Sequence, residues 1–393
     1  MTANPEIAAW ARSGAMALTG RSDGPPQLVA GAPATTVRRN LEALSATAAA
    51  VGLDPPPLPD ERLLGERAAV MGLRRQGRVS AGGATRLLDA ADGTVALTLS
   101  RQADLEVLPA LLERNTVSAD PWHDVAAWAA VQDARDIEER AALLGLAIGA
   151  VHHSVEAAVG GLSTPLGRPP RAASANAPLV VDLSALWAGP LCAHLLGLVG
   201  AQVLAVESTQ RPDPTRDVAP GFHALLRGNA EHCSLDFTSR EDVARLRDLL
   251  VGADIVIEAA RPRALAQLGI DAHEVAAEGH GTWVSITAYG RAQNRIGYGD
   301  DVAAAAGLLG EGPVFAGDAV ADPMTGTHAA LAALSHWAAG HSGVVELSMY
   351  DVVHAARTPL PESHVVRRGD DWYVDDGSEL HLVRRPVARQ AIR

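Results

Sequence analysis

Residues 178–207 limit the fold more than any other stretch, because two short apolar runs there enclose one helical period. Leu179-Val180-Val181-Asp182-Leu183 is apolar on both faces, as a strand covered on both sides of a parallel sheet requires. Ala188-Gly189-Pro190 reads as a tight turn, with Pro190 at the first helical position where its missing N–H costs nothing. Leu191, Leu195, Leu196 and Val199 recur at helical spacing, and Gly200 supplies the stop. The next strand covers 201–207 and ends in Glu207. The result is a βαβ unit, which sets a helix start at the carboxyl edge of a sheet, where anionic ligands bind.

The same alternation continues downstream. Thr238-Ser239-Arg240-Glu241 is a capping pattern that opens an amphipathic helix carrying Val243, Leu246, Leu249 and Leu250. Buried strands follow at 254–258 and 283–287. Strands alternating with helices predict an α/β fold: a doubly wound, Rossmann-like parallel sheet over 178–355. Residues 1–60 read as a helical segment packing on that domain, with a turn at 22–26 and a stiff Pro-rich connector at 54–59. Residues 61–160 read as a smaller α+β domain. It begins with a hairpin over 86–99 about Asp92-Gly93, and helical patterns follow at 102–114, 121–133 and 137–150. A linker is expected at 161–177, and 356–393 forms a tail with a hairpin about Asp376-Gly377.

Composition removes several function classes. The formal net charge of −13 argues against a nucleic-acid partner or an anionic membrane surface. All 33 basic residues are Arg, so lysine Schiff bases and a Walker-type phosphate lysine are excluded. Cys192 and Cys233 are too few for a disulfide framework or a thiolate zinc site. His152-His153 and His328 have no metal-type spacing, so no metal is expected. No stretch reads as a signal peptide and no apolar run reaches spanning length, which predicts a cytoplasmic chain. Heavy Ala, Arg and Gly usage suggests a GC-rich bacterial genome.

The succession Val181-Asp182-Leu183, Ala188-Gly189-Pro190, Cys192, Gly200-Ala201 and Val206-Glu207 resembles the opening of the class III CoA-transferase family. That family includes carnitine and formyl-CoA transferases and α-methylacyl-CoA racemases. Thr215-Arg216 follows as in the family, then Leu235-Asp236-Phe237, Ala253-Asp254-Ile255-Val256-Ile257-Glu258, Arg261-Pro262, Leu268-Gly269, Ser285-Ile286 and Tyr289-Gly290. The likeness closes with Ala321-Asp322-Pro323-Met324-Thr325-Gly326 and Val345-Glu346-Leu347-Ser348-Met349-Tyr350-Asp351, spanning roughly 178–352.

The resemblance implies an acyl-CoA:carboxylate CoA-transferase. Coenzyme A would arrive as the acyl-CoA donor, a carboxylic acid would be the acceptor, and the chain would form a homodimer. Asp322 takes the place of the family's nucleophile, which divides one difficult exchange into covalent steps with good leaving groups. From the residues alone, Asp322 reads instead as the cap of a helix over 327–338. Asp300 stands where the racemases carry His, making it an acid/base candidate and keeping CoA-ester racemisation as an alternative.

The implied CoA contacts are Trp187, Ala188, Gly189, Pro190, Glu207, Arg216, Arg261 and Arg263. Arg216, Arg261 and Arg263 would make forked hydrogen bonds to the phosphates, and Trp187 would stack on adenine. The plainer readings are surface Arg and a core Trp. Glu207 mimics the acid that holds a ribose in dinucleotide folds, but the Gly-x-Gly-x-x-Gly of a nicotinamide site is absent. Ser208 and Gln267 replace Arg found in many relatives, and Asn229-Ala230-Glu231-His232-Cys233 replaces Asn-x-Lys-Arg-Ser. These departures motivate a third reading, a CoA-binding paralogue without turnover.

The order of parts also departs from the family, since the small domain comes first. Residues 13–20 resemble the family segment that leads into the nucleophile, and a shortened copy recurs at 306–310. Aligning Ala30-Gly31 with Ala316-Gly317 puts Thr36 opposite Asp322, so the first copy lacks the carboxylate and is expected to be structural. Gly82-Gly83 sits where the family has a glycine-rich loop near the acyl group, and reads equally as a plain turn. A circular permutation accounts for this order, because packed layers do not depend on where the chain is cut.

Overall fold

The computed structural model describes residues 5–151, 177–260 and 262–390. Residues 161–176 of the expected linker, His152, His153 and Arg261 lie outside the described residues. In chain order the first elements are α1 (Pro5–Arg12), α2 (Pro33–Ala50) and α3 (Glu66–Met71). Strands β1 (Thr85–Asp89) and β2 (Thr94–Thr98) then form the hairpin anticipated about Asp92-Gly93. Helices α4 (Gln102–Glu106), α5 (Leu108–Leu111), α6 (Pro121–Ala129) and α7 (Ala134–Leu143) lead to β3 (Ala147–Ala150), which pairs with β2. The helix expected over 137–150 therefore ends early. Gly145, at φ 71°, stops it, and the buried run from Leu146 joins the sheet instead.

The second half is β4 (Leu179–Asp182), α8 (Ala188–Leu198), β5 (Gln202–Ser208), α9 (Thr215–Val218), α10 (Pro220–Arg227) and β6 (Glu231–Leu235). It continues through α11 (Arg240–Gly252), β7 (Ile255–Glu258), α12 (Pro262–Ala266), α13 (Ala272–Gly279) and β8 (Thr282–Thr287). Then come α14 (Gly299–Ala305), the two-residue strands β9 (Leu309–Gly310) and β10 (Val314–Phe315), α15 (Ala321–Ala338), β11 (Gly343–Ser348) and α16 (Met349–Ala355). A three-stranded antiparallel sheet, β12 (His364–Arg368), β13 (Asp371–Asp375) and β14 (Leu380–Leu382), closes the chain.

Six strands form one parallel sheet in the order β11-β8-β7-β4-β5-β6. Counting these strands by their place in the chain, the order is 3-2-1-4-5-6, the doubly wound arrangement expected from the sequence. Alternate residues divide between the two faces. Val180, Ile255, Ile257, Val284 and Val345 pack against α1, α2, α8 and α15, whereas Val181, Val206, Val256 and Trp283 pack under α11 and α13. The amino-terminal helices thus share the main core, and α2 lies along α15. The small β1–β3 sheet has its own core with α5, α6 and α7. No helix among the described residues is long and apolar enough to cross a membrane.

Strand order decides where a ligand can enter. Connections from β4 and β7 leave in opposite directions, opening a crevice between those two strands at their carboxyl ends. The two adjoining cavities that carry Asp322 and Glu207 lie there.

Candidate active site

Asp182 ends β4, and its carboxylate accepts the Ser184 N–H at 2.8 Å, turning the chain away from the sheet. Arg227 at the end of α10 pairs with Asp182 and donates to the Ser184 carbonyl at 2.6 Å. Both members of this pair are buried. Leu186 is then held at φ 71°, a region unfavourable for a branched side chain, with its N–H directed at the Asp213 carboxylate at 3.3–3.4 Å. This strained loop delivers the chain into α8.

The helix begins at Ala188 rather than Pro190, so Pro190 is its third residue. That position tolerates proline as well, because the first N–H groups of a helix have no intrahelical acceptor. Ala188 and Gly189 line a cavity of about 250 Å³ together with Arg101, Arg295, Tyr298 and Asp322. Pro190 is buried and is not part of that lining.

Asp322 does not cap a helix at 327. Helix α15 already begins at Ala321, Val320 occupies the cap position and no side chain caps it. Asp322 is the second residue of that helix, and its carboxylate is turned to the Ala188 N–H and to the backbone of Gly299. Gly326, one turn on, lies where a Cβ would stand 2.7 Å from the Ala188 carbonyl. The missing side chain lets α15 approach α8 closely enough for this meeting.

Around Asp322 the structure gathers groups from distant parts of the chain. Ala319, at φ 46°, puts its N–H 2.9 Å from the Asp300 carboxylate, and its carbonyl accepts the Asp322 N–H at 3.0 Å. Asp318 is fully buried and pairs with Arg67 of α3 through two nitrogens, Nε at 2.9 Å. The Ser80 hydroxyl donates to Asp300. Asp301 accepts from Thr98 Oγ1 at 2.9 Å and from the Tyr298 N–H at 2.9 Å, tying α14 to β2.

Burial pushes the Asp322 carboxyl up to about 7. Arg67 opposes that shift, and the Asp300 and Asp318 carboxylates add to it. Asp300 is also raised, by burial and by Asp318. Asp301 is raised to about 7, chiefly by burial.

A larger cavity of about 520 Å³ adjoins the first, sharing Ala185 and Ala260 in its lining. Glu207 and Arg216 both lie on it and pair with each other at 2.7 Å, alongside Arg211, His223 and Phe237. Two expected contacts are elsewhere. Trp187 is a core residue: it meets Phe222 edge-on at 5.0 Å and carries the Arg67 guanidinium 5.1 Å above its ring, leaving no face for adenine. Arg263 is exposed and lines a third cavity of about 270 Å³ with Trp283 and Arg291, which shares Glu258 and Leu265 with the larger one. Arg67, Asp318 and Ser80 were not evident in the sequence, because no local pattern marks residues that meet only across the fold. Among the described residues, no group of three or more His, Cys, Asp or Glu is placed to hold a metal ion.

Comparison with known proteins bears on the second half of the chain. The model of CoA-transferase family III matches residues 178–370. A succinyl-CoA–D-citramalate CoA-transferase from Chloroflexus aurantiacus is 28% identical over 207 residues, covering 47% of this chain and 51% of that protein. A succinate–glutarate CoA-transferase from Agrobacterium fabrum is 30% identical over 204 residues, 45% and 51% of the two chains. Human succinyl-CoA:glutarate CoA-transferase is 28% identical over 169 residues, 38% of each. The chain thus spans about half, or less, of these relatives' length. Among solved structures, a CAIB/BAIF family protein from Brucella suis aligns with a TM-score of 0.45 at 22% identity, over 51% of this chain and 65% of that one.

Proposed function

Because residues 178–370 belong to CoA-transferase family III, we propose that this chain is an enzyme exchanging coenzyme A between an acyl-CoA donor and a carboxylic acid, with Asp322 as the nucleophile. The observation that carries this reading is the Asp322 carboxylate on the cavity at the sheet's switch point, facing the first N–H of α8. In the first step an Asp322 oxygen bonds to the thioester carbonyl carbon, the C–S bond breaks, and the electron pair leaves with the CoA sulfur. The product is a mixed anhydride. The thiolate then attacks the Asp322 carbonyl, releasing the donor acid as a carboxylate and leaving CoA on the enzyme as a thioester. An acceptor carboxylate reverses both steps and departs as its CoA ester, restoring Asp322. A carboxylate suits each step because its anhydride and the thioester are close in energy and both have good leaving groups. The helix start of α8 favours negative charge beside the reacting carbon.

The larger cavity, with Arg216 and Arg211 on its wall, is where the nucleotide part of CoA fits. The succinyl-CoA named for the relatives makes succinyl-CoA and glutarate the first pair to assay. Transfer that disappears in Asp322→Ala, with CoA still bound, is the expected result. Transfer surviving that change removes the mechanism. Racemisation of a CoA ester is the second reading, favoured by Asp300 standing beside Asp322 with both carboxyls raised toward neutrality. Exchange of an α-proton with solvent deuterium, without transfer, would select it. The proposal extends to a homodimer and to a permuted arrangement in which the small unit, residues 61–160, precedes the large one.

A further inference from the structure

Three carboxylates and one guanidinium meet at the start of α15. Arg67 grips Asp318 with two of its nitrogens, and its charge also reaches Asp300 and Asp322. The guanidinium is fixed from behind by the Trp187 ring, 5.1 Å from its centre, and from the side by Gly82, where a Cβ would come within 3.5 Å of Nη2. The helix that carries it is fixed in turn, because the neighbouring Glu66 is paired with Arg389 of the carboxyl-terminal tail. All three acids are tethered around Ala319: Asp318 precedes it, Asp300 accepts its N–H, and the N–H of Asp322 donates to its carbonyl. We propose that the Arg67–Asp318 pair is the positioning element for Asp322, with Arg67 favouring the ionised form of that carboxylate in a desolvated place and Asp318 limiting how much of the guanidinium's charge it receives.

This inference rests on Asp322 being the nucleophile, since only an ionised carboxylate attacks a thioester. Among the described residues, the other charged groups around Asp322 are committed elsewhere. Arg101 on the cavity wall pairs with Asp104, and Arg295 pairs with Glu138. Asp301 on α14 is bonded to Thr98 and to the Tyr298 N–H. The first turn of α8 contributes the Ala188 N–H and no side-chain charge. Arg67 is therefore the cation placed to offset the mutual repulsion of Asp300, Asp318 and Asp322. Asp318 neutralises part of it.

The two partners make opposite predictions. Asp318→Asn keeps the shape and frees the guanidinium, so Asp322 titrates at lower pH. Arg67→Met removes the cation that the described residues place among these three carboxylates, so Asp322 titrates at higher pH. The double variant Arg67→Met/Asp318→Asn falls between Arg67→Met and the parent, and guards against a single Arg67 change that does not fold. The direct measurement is the 13C NMR titration of the aspartate side-chain carbons in the full chain, with Asp322 assigned by its loss in Asp322→Asn. Alongside it, the pH profile of kcat/KM is measured with succinyl-CoA and glutarate.

A midpoint that falls in Asp318→Asn and rises in the Arg67 variants, with the acid limb of the rate following, supports the proposal. At pH 7 the rate in the Arg67 variants is then down tenfold or more and recovers at pH 9. A midpoint that stays put in Asp318→Asn, or moves upward, overturns it. Midpoints that move as stated while the rate profile does not follow would uphold the pair's effect on Asp322 and remove Asp322 as the nucleophile.

Discussion

Gly299 and Asp322 meet across two helix starts: a Cβ on Gly299 would lie 2.2 Å from the Asp322 carboxylate and 2.4 Å from the Ala319 carbonyl. The first residue of α14 thus forms a wall of the pocket holding the carboxylate. Gly299→Ala forces one of these groups to move. A loss of about 1–3 kcal/mol in stability is expected from the overpacking, with a larger fall in transfer rate because the carboxylate itself is displaced. Gly252→Ala, at a helix end where a Cβ meets nothing within 4 Å, is the control and should leave both unchanged. Urea unfolding and initial rates on the two variants decide the matter.

Arg227 and Asp182 are both withdrawn from solvent, so removing Arg227 leaves the Asp182 charge buried without its cation. Arg227→Met is expected to lose roughly 3–5 kcal/mol in stability. It should also loosen the loop that holds Leu186 at positive φ. Chemical denaturation measures the first effect, and proteolysis near 184–187 the second. A loss under 1 kcal/mol would show the pair to be dispensable.

Asp301 gives a pH prediction whose sign follows from its environment. Its carboxyl rises from 3.8 to about 7 on folding, burial being the largest cause, so the folded chain holds this proton more tightly than the unfolded chain. The stability this supplies is fully present below 3.8 and is lost as the pH rises through 7. Asp301→Asn keeps an acceptor for Thr98 and the Tyr298 N–H while removing the charge. The melting temperature should fall from pH 5 to pH 8 in the parent and fall less in the variant. At pH 8 the variant gains on the order of 1–3 kcal/mol. Equal slopes in calorimetry would contradict this.

The Glu207–Arg216 pair predicts a separation of binding from stability. The guanidinium is about half exposed, at 45%, so Arg216→Ala should change stability by less than about 1 kcal/mol. If the larger cavity takes the CoA phosphates, KM for acyl-CoA rises about tenfold while kcat holds, as removal of a contact made equally in ground and transition states requires. An unchanged KM would place the phosphates elsewhere.

Much of the fold was legible because it is written in short-range periodicity. Leu179–Asp182, Gln202–Ser208 and Ile255–Glu258 each form one strand, and a run that is apolar on both faces has few alternatives to the middle of a parallel sheet. The region beyond 137 was less legible. Its Ala- and Leu-rich pattern fits a helix as well as a buried strand, and the pairing of β3 with β2 settled which. Trp187 shows the same limit at one side chain: a Trp beside a ligand-binding turn looks available until Phe222 and Arg67 are seen to occupy it.

The sequence by itself determined the parallel sheet, the helix start at its carboxyl edge and the presence of an aspartate at the head of a long helix. Each follows from neighbours within a few residues, where propensity and side-chain period act. Only the tertiary structure decided that Asp322 faces Ala188 and Gly299 instead of capping its own helix, and that Arg67 arrives from 251 residues before Asp318 to stand among three carboxylates. The charge on a buried acid is set by whatever groups packing brings within a few ångströms of it, and spacing along the chain carries no record of that distance.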